Sequence, residues 1–192
     1  MFELTDNLKK LVKPSCDLKI IAGGLARIGR FGGRGPYYYS VLAHSIVVGS
    51  MTSWPWRIYG YLHDMAEVIV GDVGHPFKTD EQKEVEDAVH NYMLEQLGID
   101  HLSDEELYVE DEIRRIDKEA AIAEAFLLHL DEVTEVEGKP DCSSFMYNSV
   151  RAQICIRRER WFPEDGRVAE MASWFAMLCT DAIDLLEVWP ST

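Results

Sequence analysis

Apolar positions along the chain recur three and four residues apart, and nowhere do Val, Ile and Thr alternate over a convincing strand. The pattern predicts an all-α protein. Thr79 to Gln82 has the composition of a capping box, in which the threonine oxygen accepts the Gln82 amide proton and the glutamine reaches back. The helix it opens is expected to stop near Leu97, with Gly98 in the left-handed position that favours glycine. Ser103 to Glu106 reads as a second capping box, leading towards Asp117. Gly71 is expected to close a helix carrying His63, with Pro55 in its first turn. The acidic stretch Asp131 to Asp141, with Gly138 and Pro140, reads as a loop. Two packing helices should follow, Ser143 to Arg160 and Glu164 to Glu187, the second rich in Trp174, Phe175, Met177, Leu178, Leu185 and Leu186.

Charged and imidazole side chains interrupt these apolar stripes at particular places. At about 100° per residue, Ile113, Asp117, Ala120, Ala121, Glu124, Leu127 and Leu128 share one helix face. Asp and Glu are rarely buried unpaired, so Asp117 calls for a cation, and Ala120 and Ala121 leave space for one. Glu124 can instead pair with a buried arginine such as Arg27 or Arg30. On the helix around His63, Ala66, Glu67 and Val70 share its face, while Asp64 lies about 100° round. His63 and Asp64 can meet at one ion only if it sits beside the helix and other elements complete its shell. His44, on a face with Val41, Val48 and Met51, can supply one ligand and Asp117 another. Two histidines and two aspartates suit Mn, Fe, Co, Ni or Zn better than Ca or Mg. A cation so held lowers the pKa of bound water and polarises a phosphoryl oxygen. Tyr37, Tyr38, Tyr39, Trp54, Trp56, Tyr59 and Tyr61 read as packing, and Arg34 as a solvated charge.

Composition narrows the partners. At 192 residues, with no internal repeat, a single domain over 1–192 is the economical reading. The formal net charge of −15 repels polynucleotides and anionic membranes, because phosphate contacts need Lys and Arg. A small phosphorylated ligand remains open if a few basic side chains line a pocket. Cys16, Cys142, Cys155 and Cys179 form no C-x-x-C pair, which argues against a zinc knuckle or redox motif. No signal core and no membrane span is visible, so a cytoplasmic protein with free thiols is expected.

RFGGRGPYYYSVLAHS, Arg30 to Ser45, followed by YLHDMAEVIVGDVGHPFK, Tyr61 to Lys78, resembles the HD-domain phosphohydrolases of the bacterial 5′-deoxynucleotidase type. It is similar above all to a phage and bacterial branch with an R-F-G-G and Y-S-V-x-x-H-S signature. That branch includes deoxynucleotide triphosphohydrolases, among them enzymes that deplete dATP. The resemblance spans Ala22 to about Ala125 and implies a single HD-domain helical bundle. It implies His44, His63, Asp64 and Asp117 as ligands of one divalent transition metal ion, with Mg entering for a triphosphate substrate. It makes Glu67 the residue that positions or activates water and Asp72 a candidate for protonating the leaving oxygen. Arg30 would contact phosphate, Phe31 would abut base or sugar, and Lys78 would add positive charge near phosphate. The implied reaction is hydrolysis of a deoxynucleoside monophosphate to deoxynucleoside and phosphate. The alternatives are triphosphohydrolysis, such as dATP to deoxyadenosine and tripolyphosphate, and a noncatalytic nucleotide-binding module. Arg27, Arg30, Arg34, Lys78 and His75 keep the triphosphate open. The resemblance also implies a homo-oligomer, which the carboxy-terminal helix could serve. The chain departs from the family in having Gly74 where a proline is usual, followed by His75.

Overall fold

A computed structural model describes residues 2–36, 38–74, 77–103, 106–128, 139–158 and 167–188, without the side chains of 152–158, 167–171 and 185–188. The described residues are helical and include no strand; an isolated bridge pairs Gly29 with Ser40. The expected all-α fold is therefore what the chain adopts. In order, the helices are α1 (Asp6–Val12), α2 (Leu18–Leu25), α3 (Val41–Met51), α4 (Arg57–Leu62), α5 (Glu67–Val70), α6 (Asp80–Leu97), α7 (Leu107–Leu127), α8 (Phe145–Arg158) and α9 (Arg167–Val188).

Helix α3 is the axis of the molecule. Val41 to Gly49 are buried without exception, as expected of a helix apolar on every side. Helices α2, α4, α7 and α8 pack around it, and α9 crosses α2 and α4 behind. The Ser40 hydroxyl caps α3 by accepting the Ala43 amide at 3.2 Å. His44 thus sits one turn into the most enclosed helix of the fold.

The capping box at Thr79 is complete, with both reciprocal bonds made, and Gly98 closes α6 at φ 72°, ψ 25°. The second box is not formed. The Glu106 carboxylate accepts from both the amide and the hydroxyl of Ser103, so the hydroxyl is a donor rather than a cap, and α7 begins only at Leu107. The helix carrying His63 is not continuous. Between α4 and α5 the backbone tightens to three-residue hydrogen bonds, Met65 N–H to Leu62 and Glu67 N–H to Asp64, and Gly71 closes only the short α5. Pro55 lies in the turn ahead of Arg57, after a cis bond to Trp54, not in the first turn. Residues 131–138 of the expected acidic loop, the end of the first of the last two predicted helices and the start of the second lie outside the described residues. Phe175 is fully buried, meeting Tyr61 edge-on, whereas Trp54, Trp174 and Met177 are about half exposed. No described helix is long and apolar enough to cross a membrane, and Cys16, Cys142 and Cys179 are free thiols.

Candidate metal centre

Three parts of the chain converge beside α3. His44 comes from α3 itself, His63 and Asp64 from the break between α4 and α5, and Asp117 from α7. One donor atom each from His44, His63 and Asp117 falls within 4.8 Å of the others. The Nε2 atoms of His44 and His63 are 3.2 Å apart, and His44 Nε2 lies 2.9 Å from Asp117 Oδ1. Asp64 Oδ2 is 3.2 Å from His63 Nε2 and 3.6 Å from His44 Nε2. His44, His63 and Asp117 thus form the group with ligand spacing, and Asp64 Oδ2 lies beside the two histidines.

The hydrogen bonds behind them fix which imidazole nitrogens face the cluster. His63 Nδ1–H donates to the Gly60 carbonyl at 2.9 Å, and His44 Nδ1–H donates to Glu124 at 2.9 Å. Each imidazole thereby turns Nε2 inward, the atom a metal ligand would use. Two lone pairs facing each other at 3.2 Å would repel, so the site calls for a positive charge there, either a metal ion or a proton on one Nε2. Ligands about 2.0–2.2 Å from a common ion in tetrahedral or octahedral geometry stand roughly 3.0–3.5 Å apart. The separations of 2.9 and 3.2 Å around His44 Nε2 are close to that spacing, so His44, His63 and Asp117 could hold a single small cation, with Asp64 beside them. The donor set of imidazole and carboxylate favours a transition metal over Ca or Mg.

Glu124 has a part that sequence reasoning missed. It does pair with Arg30, whose Nε lies 3.5 Å away, while Arg27 instead donates to the Gly23 carbonyl. Its main partners are His44 and the Tyr39 hydroxyl, which donates to it at 2.8 Å, so it orients a ligand from behind. Its place seven residues after Asp117 on the same stripe marked it as buried, but nothing in the spacing named His44 as its partner. Tyr39, read as packing, is a tether as well.

Arg30 is held at the cluster by main-chain bonds, its amide to the Tyr39 carbonyl and the Val41 amide to the Ile28 carbonyl. Its guanidinium reaches Asp64 at 3.7 Å, Asp117 at 3.3 Å and Glu124. These contacts outweigh the effect of burial and keep it firmly charged. Phe31 adopts φ 57°, ψ 31°, a left-handed conformation costly for a side chain of its size. Its ring lies 5.7 Å from the Arg30 guanidinium and is partly buried against the core. Tyr38 donates to the Ala26 carbonyl; Tyr37 and His75 lie outside the described residues.

Burial acts against the carboxylates here, and charge decides among them. Burial raises Asp64, but His63 and then His44 and Arg30 hold it well below the usual range. Asp117 is likewise raised by burial yet brought down to about 2 by His44. Glu67 has no such partner. It is only 5% exposed, its Oε2 has no hydrogen bond, and burial together with Asp64 and Asp72 pushes it up to about 9. Asp72 is raised by burial despite Arg30. His44 is lowered by burial and by Arg30, but Glu124 and Asp117 carry it up to about 10, so a proton binds where a metal would otherwise neutralise the cluster. Asp64 Oδ2 shares with Glu67 Oε2 the lack of a hydrogen-bond partner. Such orphaned buried oxygens are what a bound cation or water would satisfy.

Lys78 is paired with Glu86 of α6 rather than free in solvent. Both line a cleft of about 410 Å³ that also includes Gly71 and Val73, the neighbours of Asp72. Glu86 is a second residue missed from the sequence. The fold and site thus define an all-α protein with a partly buried histidine–aspartate cluster that could hold a metal ion. The chain matches no family model and no curated protein sequence.

Proposed function

We propose that the protein is a metal-dependent phosphohydrolase of the HD-domain type, acting on small deoxynucleotides and releasing phosphate from a deoxynucleoside monophosphate. The supporting observation is the pair of inward-facing Nε2 atoms, flanked by Asp64 and Asp117, together with a buried, unpartnered oxygen of Glu67, whose carboxyl responds to the charge of Asp64. A divalent ion bound by His44, His63, Asp64 and Asp117 would supply Lewis acidity and a lowered water pKa. Without the ion, burial and the neighbouring Asp64 and Asp72 keep a proton on Glu67. A bound cation would offset that negative charge and let the carboxyl ionise, and as a carboxylate Glu67 orients the attacking water and takes its proton. The water oxygen forms the new bond to phosphorus as the bond to the sugar oxygen breaks, and Asp72 returns a proton to that oxygen. Arg30 offsets charge on the phosphoryl oxygens. A binding-only module would gain nothing from burying Glu67 without a partner.

Between a monophosphate and a triphosphate, the pairing of the basic residues favours the monophosphate. Arg30 faces three carboxylates and Lys78 is matched by Glu86, which leaves little positive charge for two further phosphoryl groups. The test is a panel of deoxynucleoside and nucleoside monophosphates and deoxynucleoside triphosphates with Co, Mn, Mg and Zn, products resolved by chromatography. Orthophosphate should be released from deoxynucleoside monophosphates, and His63→Ala or Asp117→Ala should remove both bound metal and turnover. No phosphate from any substrate with any ion, or turnover that survives both substitutions, would refute the proposal.

A further inference from the structure

The α5–α6 connection places a cation and an anion against each other at the edge of the candidate site. Lys78 and Glu86 form an ion pair with side chains only 21% and 15% exposed. The reciprocal capping box at Thr79 and Gln82 fixes the start of α6, and Glu86 falls one turn beyond Gln82, on the side facing the connection. The pair forms part of the wall of the 410 Å³ cleft, together with Val70, Gly71, Val73 and Val85. Gly71 and Val73 flank Asp72, so the cleft opens beside that residue. The charges reach the site as well: Glu86 acts on Glu67, and Lys78 on Asp72.

We infer that Glu86 determines how much negative charge the substrate site accepts, by serving as the counter-ion of Lys78 so that the cleft admits a monophosphate and discriminates against a longer phosphate chain. This rests on the phosphohydrolase reading above. Any anion seeking Lys78 must displace a carboxylate that is already in place and largely shielded from water. Each added phosphoryl group also meets the remaining negative charge of Glu86. Removing that charge while leaving the side chain's shape frees the lysine and ends the repulsion.

The experiment is calorimetric titration of the full chain, as purified, with orthophosphate and with tripolyphosphate. Glu86→Gln should bind tripolyphosphate about fivefold or more tightly than the wild type, with a smaller gain for orthophosphate. Adding Lys78→Met should remove the gain, which a general loosening of α6 would not do. Glu86→Asp, with a shorter reach, should shift in the same direction and serves if the glutamine variant does not fold. Unchanged or weaker tripolyphosphate binding in a variant that melts like the wild type overturns the inference, as does a gain that survives Lys78→Met. Because binding is read without turnover, a protein that binds these anions but hydrolyses nothing would fail the functional reading and leave this one standing.

Discussion

His44 is usable as a ligand because of Glu124. A histidine enclosed in α3 has two nitrogens and no preference between them until a neighbour fixes one proton. Glu124, itself fully buried and tied by Tyr39, does so. Glu124→Gln keeps an acceptor but loses the charge, and Glu124→Ala loses both. Metal affinity, measured by competition with a chelating dye, should fall about tenfold and about a hundredfold respectively. Glu67 stands differently, since its buried Oε2 has no hydrogen-bond partner. Glu67→Gln should leave metal content unchanged and reduce turnover about 10²-fold or more. Loss of metal in that variant would make Glu67 a ligand and remove its role as base. The candidate ligands and both of these acids stood out in the sequence because polar groups inside apolar runs demand a partner. What identifies that partner is contact between residues 80 positions apart, which no local pattern carries.

At the scale of elements, the two histidines meet because α3 and α4 approach closely at two glycines, Gly49 and Gly60. A Cβ on Gly60 would stand 2.9 Å from the Gly49 Cα and press on the Thr52 side chain, and one on Gly49 would enter the Tyr61 ring. Gly60→Ala should therefore destabilise the fold by about 1–3 kcal/mol and weaken metal binding by moving α4, with His63, off α3. Thermal melts and metal titration together check this; a variant with wild-type affinity would show that the crossing does not position the site. The crossing was hidden in the sequence, since glycine inside a helix carries no mark of what approaches it. The break at His63 was hidden too, for Leu62 to Val70 contains neither Gly nor Pro. Helix α6 contributes a pH dependence. His90 is partly buried, and burial with the nearby His63 lowers its pKa from 6.5 to about 4, against the pull of Asp64. Between those values the unfolded chain binds a proton that the folded one does not, so stability rises with pH and is lost on acidification. The slope is at most about 1.4 kcal/mol per pH unit. His90→Gln should flatten urea-melt stability between pH 6.5 and 4 relative to the wild type; an equal slope would place the acid sensitivity elsewhere.

For the whole molecule, the ligand set links three distant stretches, around residues 44, 63 and 117, while Arg30 neutralises part of their charge before any ion arrives. The all-helical architecture was legible from periodicity, and so was the acidic balance. The mutual placement of those stretches was not, because it depends on how α7 lies across α3. Two consequences of this wiring oppose each other. Arg30, in contact with Asp64, Asp117 and Glu124, offsets part of the charge that a cation would otherwise have to neutralise. An ion that binds only the folded arrangement must still stabilise it, by about 2.7 kcal/mol when its concentration is 100 times its dissociation constant. For a chain of this size that corresponds to a rise in Tm of about 5–10 °C. Adding Co, Mn or Zn to chelator-treated protein should produce such a rise, and Asp117→Ala should abolish it while the variant stays helical by circular dichroism. Arg30→Met should have the opposite balance, a lower Tm without metal and a larger increment with it, since the carboxylates then depend on the ion alone. An increment that is the same in wild type and Asp117→Ala would locate the stabilising ion elsewhere on this acidic chain and separate Asp117 from the cluster.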